Sequence, residues 1–154
     1  MIELLFRNLH FDGDTPITDW EILLRVVADF TIVIDGHKFY EESEFCVVEF
    51  PMQISAWVES LGKRGTGFSY DSLESDERGL VRLERTDRGW TLIARDQLRV
   101  TDRLLSTEEI VHAVNAFTKS LRRETLDRFQ IDISRFLVPE LGSGHSSRDG
   151  EPQT

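Results

Sequence analysis

Phe30-Thr31-Ile32-Val33-Ile34-Asp35-Gly36-His37-Lys38-Phe39-Tyr40 is the stretch on which the fold turns. Two apolar-rich runs flank an Asp-Gly pair. Both residues of a type I′ turn need positive φ, and Asp-Gly is among the pairs that accept it most readily. The stretch therefore reads as a two-residue β-hairpin. That loop length sets Ile34 opposite His37, Ile32 opposite Phe39 and Phe30 opposite Glu41. Ile32, Ile34 and Phe39 then share one face, while Thr31, Val33, Lys38 and Tyr40 share the other.

Working outward, residues 2–11 read as a first strand, closed by turn chemistry at Asp12-Gly13-Asp14. Residues 18–30 fit two patterns. Trp20, Ile22, Leu24, Val26, Ala28 and Phe30 alternate as in a strand, whereas Thr18-Asp19-Trp20-Glu21 matches a helix capping box. The β-branched content and the hairpin that follows favour strand. Phe45-Cys46-Val47-Val48-Glu49-Phe50 reads as another short strand. Pro51 suits a first helical turn, and Ile54, Trp57, Val58 and Leu61 make a helical stripe that Gly62 would stop. Phe68-Ser69-Tyr70 reads as a short strand. Residues 80–85 and 90–95 form a second hairpin with Gly89 at a left-handed position, and residues 97–103 continue the sheet. Ser106-Thr107-Glu108-Glu109 opens the longest helix, striped by Ile110, Val114, Phe117 and Leu121. The expectation is an α+β fold: a single antiparallel sheet of about five to seven strands, with two helices, at about 51–61 and 106–128, on one face. Residues 1–138 form one domain. Residues 139–154, rich in Gly, Ser and charge, read as a mobile tail.

Charge is distributed unevenly. Residues 1–80 carry 16 Asp and Glu against 6 Lys and Arg, and residues 81–154 carry 12 against 12, so the net charge of −10 sits in the first half. Such a surface disfavours nucleic acid and anionic membrane and steers a basic partner. No apolar run approaches the ~20 residues that span a bilayer, and the N-terminal segment lacks the features of a signal peptide. One cysteine, Cys46, leaves no internal disulfide and fits a reducing compartment. A cytoplasmic protein is expected.

The chain shows no catalytic motif. Gly62-Lys63-Arg64-Gly65-Thr66-Gly67 departs from a phosphate loop, which needs Ser or Thr after Gly-Lys and a helix next. His10, His37, His112 and His145 have no His or Cys at metal-ligand spacing. Cys46, among Val47 and Val48, reads as a small buried thiol. Arg82, Arg85, Arg88, Arg95, Arg99 and Arg103 are interleaved with acids and read as cross-strand ion pairs. Two acidic groups stand out. Glu41, Glu42 and Glu44, with Glu49 nearby, form the first; Asp71, Glu74, Asp76 and Glu77 form the second. No catalytic residue, metal or cofactor is expected.

Ala28-Asp29-Phe30-Thr31-Ile32, Tyr40-Glu41-Glu42, Phe45-Cys46-Val47-Val48-Glu49-Phe50, Trp57, Phe68-Ser69-Tyr70-Asp71-Ser72 and Gly89-Trp90, with the long C-terminal helix, resemble a family of small uncharacterised bacterial α+β proteins over roughly residues 20–130. That resemblance implies no activity, cofactor or catalytic residue. In size, acidity and layout the chain is also similar to immunity proteins that neutralise bacterial toxins. The leading expectation is thus a non-enzymatic, acidic protein-binding domain that docks on a basic toxin cleft. Its contacts would be Glu41, Glu42, Glu44, Asp71, Glu74, Asp76 and Glu77. The alternatives are a small-ligand binder or enzyme with a cleft between sheet and helices, and a domain that self-associates as a homodimer through an exposed strand edge or uncovered sheet face.

Overall fold

A computed structural model describes residues 1–64, 66–74, 76, 78–94 and 99–137. The chain runs β1 (Ile2–Phe11), α1 (Asp19–Arg25), β2 (Val26–Ile34), β3 (His37–Cys46), α2 (Glu49–Arg64), β4 (Phe68–Ser69), β5 (Val81–Arg85), β6 (Trp90–Ala94), β7 (Arg99–Val100) and α3 (Thr107–Phe129), with a 3-10 turn at Ile133–Phe136. The class is α+β, but the single sheet with two helices is corrected. The described strands form two antiparallel sheets, β1-β2-β3 and β4-β5-β6-β7, beside three α-helices. The outer edge of β3 explains the division. It carries two register shifts, and the Arg99 guanidinium donates to the Lys38 and Phe39 carbonyls at 3.0 and 3.3 Å. A bulged edge whose carbonyls are engaged does not accept another strand. The expected tail, 139–154, lies outside the described residues.

The Asp35-Gly36 turn forms with φ of 50° and 80°, as a type I′ hairpin requires. The strand register differs from expectation beyond the second pair. Ile34 faces His37 and Val33 faces Lys38, then a bulge sets Ile32 against Tyr40, Thr31 against Glu41 and Phe30 against Glu42. The bulge leaves Phe39 half-buried and turns Tyr40 into the core, where its ring lies 6.2 Å from that of Phe30.

The strand reading of residues 18–30 is also corrected. Residues 19–25 are helix, and β2 starts only at Val26. The capping box decides it: Glu21 N–H donates to Thr18 Oγ1 at 3.2 Å, and Glu21 Oε2 accepts from the backbone N–H groups of Thr18 and Ile17 at 2.9 Å each. Likewise residues 45–50 are not one strand. β3 stops at Cys46, Val47 and Val48 make a buried turn, and Glu49 opens α2. Pro51 lies in that helix's first turn, where its missing N–H costs little. The helix runs past Gly62 to Arg64 and so outlasts the expected 51–61. Gly89 takes a positive φ of 158°, outside the αL well the turn was expected to use but still one that residues with a Cβ rarely adopt. A Cβ there would sit 2.7 Å from the Leu105 carbonyl oxygen, so conformation and close backbone approach both favour glycine.

Both sheets and both long helices share one core. Phe30 (β2), Phe45 (β3), Phe50 (α2) and Phe117 (α3) are buried against one another, and Trp57 of α2 meets Phe68 and Trp90 of the second sheet. The expected α3 stripe of Ile110, Val114, Phe117 and Leu121 is buried throughout. Among the described residues, no helix is long and apolar enough to cross a membrane.

The basic residues expected to pair across the second hairpin are only partly described. Arg82 pairs with Glu84 of its own strand at 3.2 Å, and Arg95 lies outside the described residues. Arg103 reaches across the molecule instead. Its guanidinium donates to Asp35 at 2.6 and 3.0 Å and to Glu109, the capping-box acid of α3, at 2.7 and 3.1 Å. This cation holds the Asp35 carboxyl far below its usual range and Glu109 at about 2. Both folded values are depressed, so the resulting stability is present above the ordinary carboxylate range near pH 4 and is lost as pH falls toward 2. Arg103→Met is expected to lower Tm by about 2–4 °C at pH 7, on the scale of a part-exposed ion-pair network. The deficit should shrink at about pH 1.5 in calorimetry, below the folded Glu109 value. An equal deficit at both pH values would mean that Arg103 contributes packing rather than charge.

Candidate functional site

Of the seven expected contact acids, Glu41, Glu42, Glu44 and Asp71 each engage a partner within the fold. Glu41, mid-strand in β3, pairs with Lys38 at 2.7 Å and Arg7 at 3.7 Å. Glu42 is half-buried and accepts the Tyr40 hydroxyl proton. Glu44 holds a left-handed conformation, φ 54°, and faces His10 Nε2 at 3.0 Å. Hydrogen bonding of His10 Nδ1 to the Asn8 carbonyl, with Glu44 opposite, raises that imidazole's pKa. Asp71 pins its own loop: it accepts from Gly79 N–H at 2.8 Å, and Arg78 lies 4.0 Å away. Glu77 lies outside the described residues.

What does converge is the end of the first sheet where β1 and β3 stop. Cys46, the last residue of β3, donates its thiol to Glu74 Oε2 at 3.5 Å. That contact brings the second acidic group onto the end of the strand that carries the first. Burial, with Glu74, Glu49 and more weakly Asp12 acting on it, pushes the Cys46 thiol up. Burial and neighbouring carboxylates both favour the protonated thiol, the opposite of what activates a nucleophilic cysteine. Asp12, Glu74 and Asp76 are exposed, and among the described residues no cation stands within ion-pair distance of any of them.

Beneath this end lies Glu49, a neighbour of the first acidic group in sequence but not one of the expected contacts. Glu49 is fully buried. Its Oε1 accepts from Leu73 N–H at 2.6 Å and lies 3.4 Å from the Gln53 amide; its Oε2 accepts from the hydroxyls of Tyr70 and Ser72, each at 3.3 Å. Gln53 completes the clasp, donating to the Asp71 carbonyl at 2.9 Å and accepting from Asp71 N–H at 3.3 Å. Desolvation raises the Glu49 carboxyl, and the Leu73, Tyr70 and Ser72 donors oppose that rise. Glu49 also raises the Tyr70 phenol, secondary to burial. The signal was present in the sequence: an acid set between Val47-Val48 and Phe50-Pro51 leaves no solvated face for a carboxylate. With no exposed surface, Glu49 cannot touch a substrate. It fixes the 70–74 loop, and with it Glu74, to the start of α2.

A larger groove than this sheet end offers lies elsewhere among the described residues. A groove of about 670 Å³ separates α2 from α3, lined by Ser55, Glu59, Asn115, Thr118, Lys119 and Arg122 among others. It lies between two helices, not between sheet and helices, and none of the seven acids lines it. No group of three or more His, Cys, Asp or Glu side chains among the described residues is arranged to hold a metal ion.

No curated protein and no solved structure matches the chain. A family model does, across the stretch that carries the resemblance to an uncharacterised family and the whole of the acidic end: over residues 9–127 the chain matches, and belongs to, the family described as a domain of unknown function, DUF7878.

Proposed function

We propose that this chain is a non-enzymatic binding domain whose acidic end receives a basic protein, in the manner of an immunity protein covering the cleft of a toxin. One observation supports the reading above others: Asp12 and Glu74, both near Cys46 at one end of the first sheet, are exposed and have no neutralising cation among the described residues, Asp76 likewise has none, and the buried Glu49 clasp holds the 70–74 loop that carries Glu74. Fixed, unpaired carboxylates raise the encounter rate with a cationic surface and carry no ordering cost on binding. Glu44, next to this end, extends the patch, whereas Glu41 and Asp71 act inside the fold.

The test begins with capture of a basic protein from extracts of the native host. Association of that partner with the wild-type chain and with Glu74→Lys/Asp76→Lys is then followed by stopped flow. Both positions are exposed, so stability should stay within about 0.5 kcal/mol. The on-rate should fall by about tenfold or more, and its salt dependence should flatten. A partner that binds the double reversal as fast as wild type does not use this surface, and the absence of any basic partner removes the reading altogether.

A further inference from the structure

The two edges of the first sheet are built differently. β3 is defended by two bulges, three glutamates and the Arg99 guanidinium on its carbonyls. β1 is the opposite edge. From Ile2 to Arg7 its register with β2 is unbroken, and the first irregularity comes only between Arg7 and His10, where Asn8 takes φ 55°. An edge strand presents a row of unpaired N–H and C=O groups, and natural sheets usually disrupt such a row. Here Leu5, mid-strand, is 47% exposed instead.

The hydrogen-bond alternation shows which groups are open. Asp35 N–H donates to the Met1 carbonyl at 2.8 Å, so Met1 and, by the two-residue repeat, Glu3, Leu5 and Arg7 turn their peptide groups toward β2. Ile2, Leu4 and Phe6 turn theirs outward. Open space lies beside them: a groove of about 300 Å³ runs along Met1–Phe6, and its far wall on α3 includes the small residues Ala113, Ala116 and Ser120.

We propose that this edge pairs with β1 of a second copy of the chain, antiparallel, about a two-fold axis at Leu5. In that register Leu4 opposes Phe6 of the second copy, and both are outward-facing residues, so they form hydrogen-bonded pairs on each side of the axis. Leu5 meets Leu5 in the non-bonded position, where side chains approach most closely. Glu3 meets Arg7 of the second copy, twice by symmetry, on the same face as Leu5. Among the described residues Glu3 has no ion pair, and Arg7 has the long 3.7 Å contact to Glu41. The segment Glu3-Leu4-Leu5-Phe6-Arg7 is thus complementary to itself in charge and in backbone pattern. Self-pairing joins two three-stranded sheets into one of six strands and leaves the acidic end, which lies beyond the bulge, uncovered.

Sedimentation velocity of the full chain from about 1 to 200 μM, at physiological ionic strength, tests this. Wild type should pass from monomer to dimer across the range. Arg7→Glu, which sets Glu against Glu at both symmetric contacts, should weaken the dimer by about tenfold or more. Glu3→Arg/Arg7→Glu restores opposite charges and should recover most of that loss. If Arg7→Glu fails to fold by circular dichroism, Leu5→Lys, which places two like charges on the axis at an exposed site, should produce monomer. A chain monomeric at every concentration overturns the proposal. So does a dimer indifferent to these variants, or a charge swap that does not recover. None of these readouts involves Glu74 or Asp76, so failure here leaves the basic-partner reading standing, and the reverse holds too.

Discussion

Phe30→Ala should lower the unfolding free energy by about 3–5 kcal/mol, the loss typical of a large aromatic ring removed from a packed core. Phe30 has no exposed surface. Its ring stacks on Phe45 at 4.4 Å and meets Phe50 at 5.1 Å, Phe117 at 5.7 Å and Tyr40 at 6.2 Å. Truncation opens a void bordered by β3, α2 and α3 together, and close packing gives those walls little freedom to collapse. Urea denaturation is the measurement, with Phe39→Ala as its companion. In the simple two-residue register both phenylalanines would be core residues. The bulge leaves Phe39 half-buried, so its truncation should cost well under half as much. Equal losses would mean that the bulge is misplaced.

Glu49→Ala should cost about 3 kcal/mol, because it leaves the Leu73 N–H, the Tyr70 and Ser72 hydroxyls and the Gln53 amide without their acceptor, and each stranded buried group costs about 1–3 kcal/mol. The sum is partly offset because a buried carboxylate no longer has to be desolvated. Glu49→Gln keeps an acceptor and the side-chain volume and should cost about 1 kcal/mol. The pH profile separates charge from shape. The folded carboxyl is raised above its unfolded value, so between the two values the folded state binds more protons, and stability falls as pH rises through that window. Wild type should show this decline and Glu49→Gln should not, when both are unfolded by urea from pH 4 to pH 8. Parallel profiles for the two proteins would mean that Glu49 titrates as in the unfolded chain and is not desolvated.

The parts of the fold written in local chemistry were legible. Asp35-Gly36 specified its turn because few other pairs accept two positive φ values, and Ser106 with Glu109 specified the start of α3. The misreadings came where two local patterns competed or where a distant contact decided. Residues 18–25 alternate as a strand would, yet the capping box at Thr18 won because it satisfies helix donors at once. The one-residue bulge at Phe39 left no sequence mark, since either Phe39 or Tyr40 can turn inward from an alternating run. The same holds for the site. The acids at Glu41–Glu44 and Asp71–Glu77 are visible as groups in the sequence. That Glu41 and Asp71 are occupied within the fold, while Glu74 rests on Cys46, depends on the path of the chain between them.

The packing of β1 has a consequence for the order of folding. The hairpin of β2 and β3, and that of β5 and β6, join neighbours in sequence and close short loops. The face of β1 is covered instead by α3: Phe6 meets Phe117 edge-on at 5.7 Å, across 111 positions. Closing so long a loop draws heavily on chain entropy and gains contacts only once both ends are in place. The hairpins can therefore nucleate while β1 and α3 are still apart, and their docking comes late. On this pathway Phe117→Leu accelerates unfolding and leaves the refolding rate nearly untouched, whereas Gly36→Ala slows refolding. The two ends of the domain close it last and are the first to part.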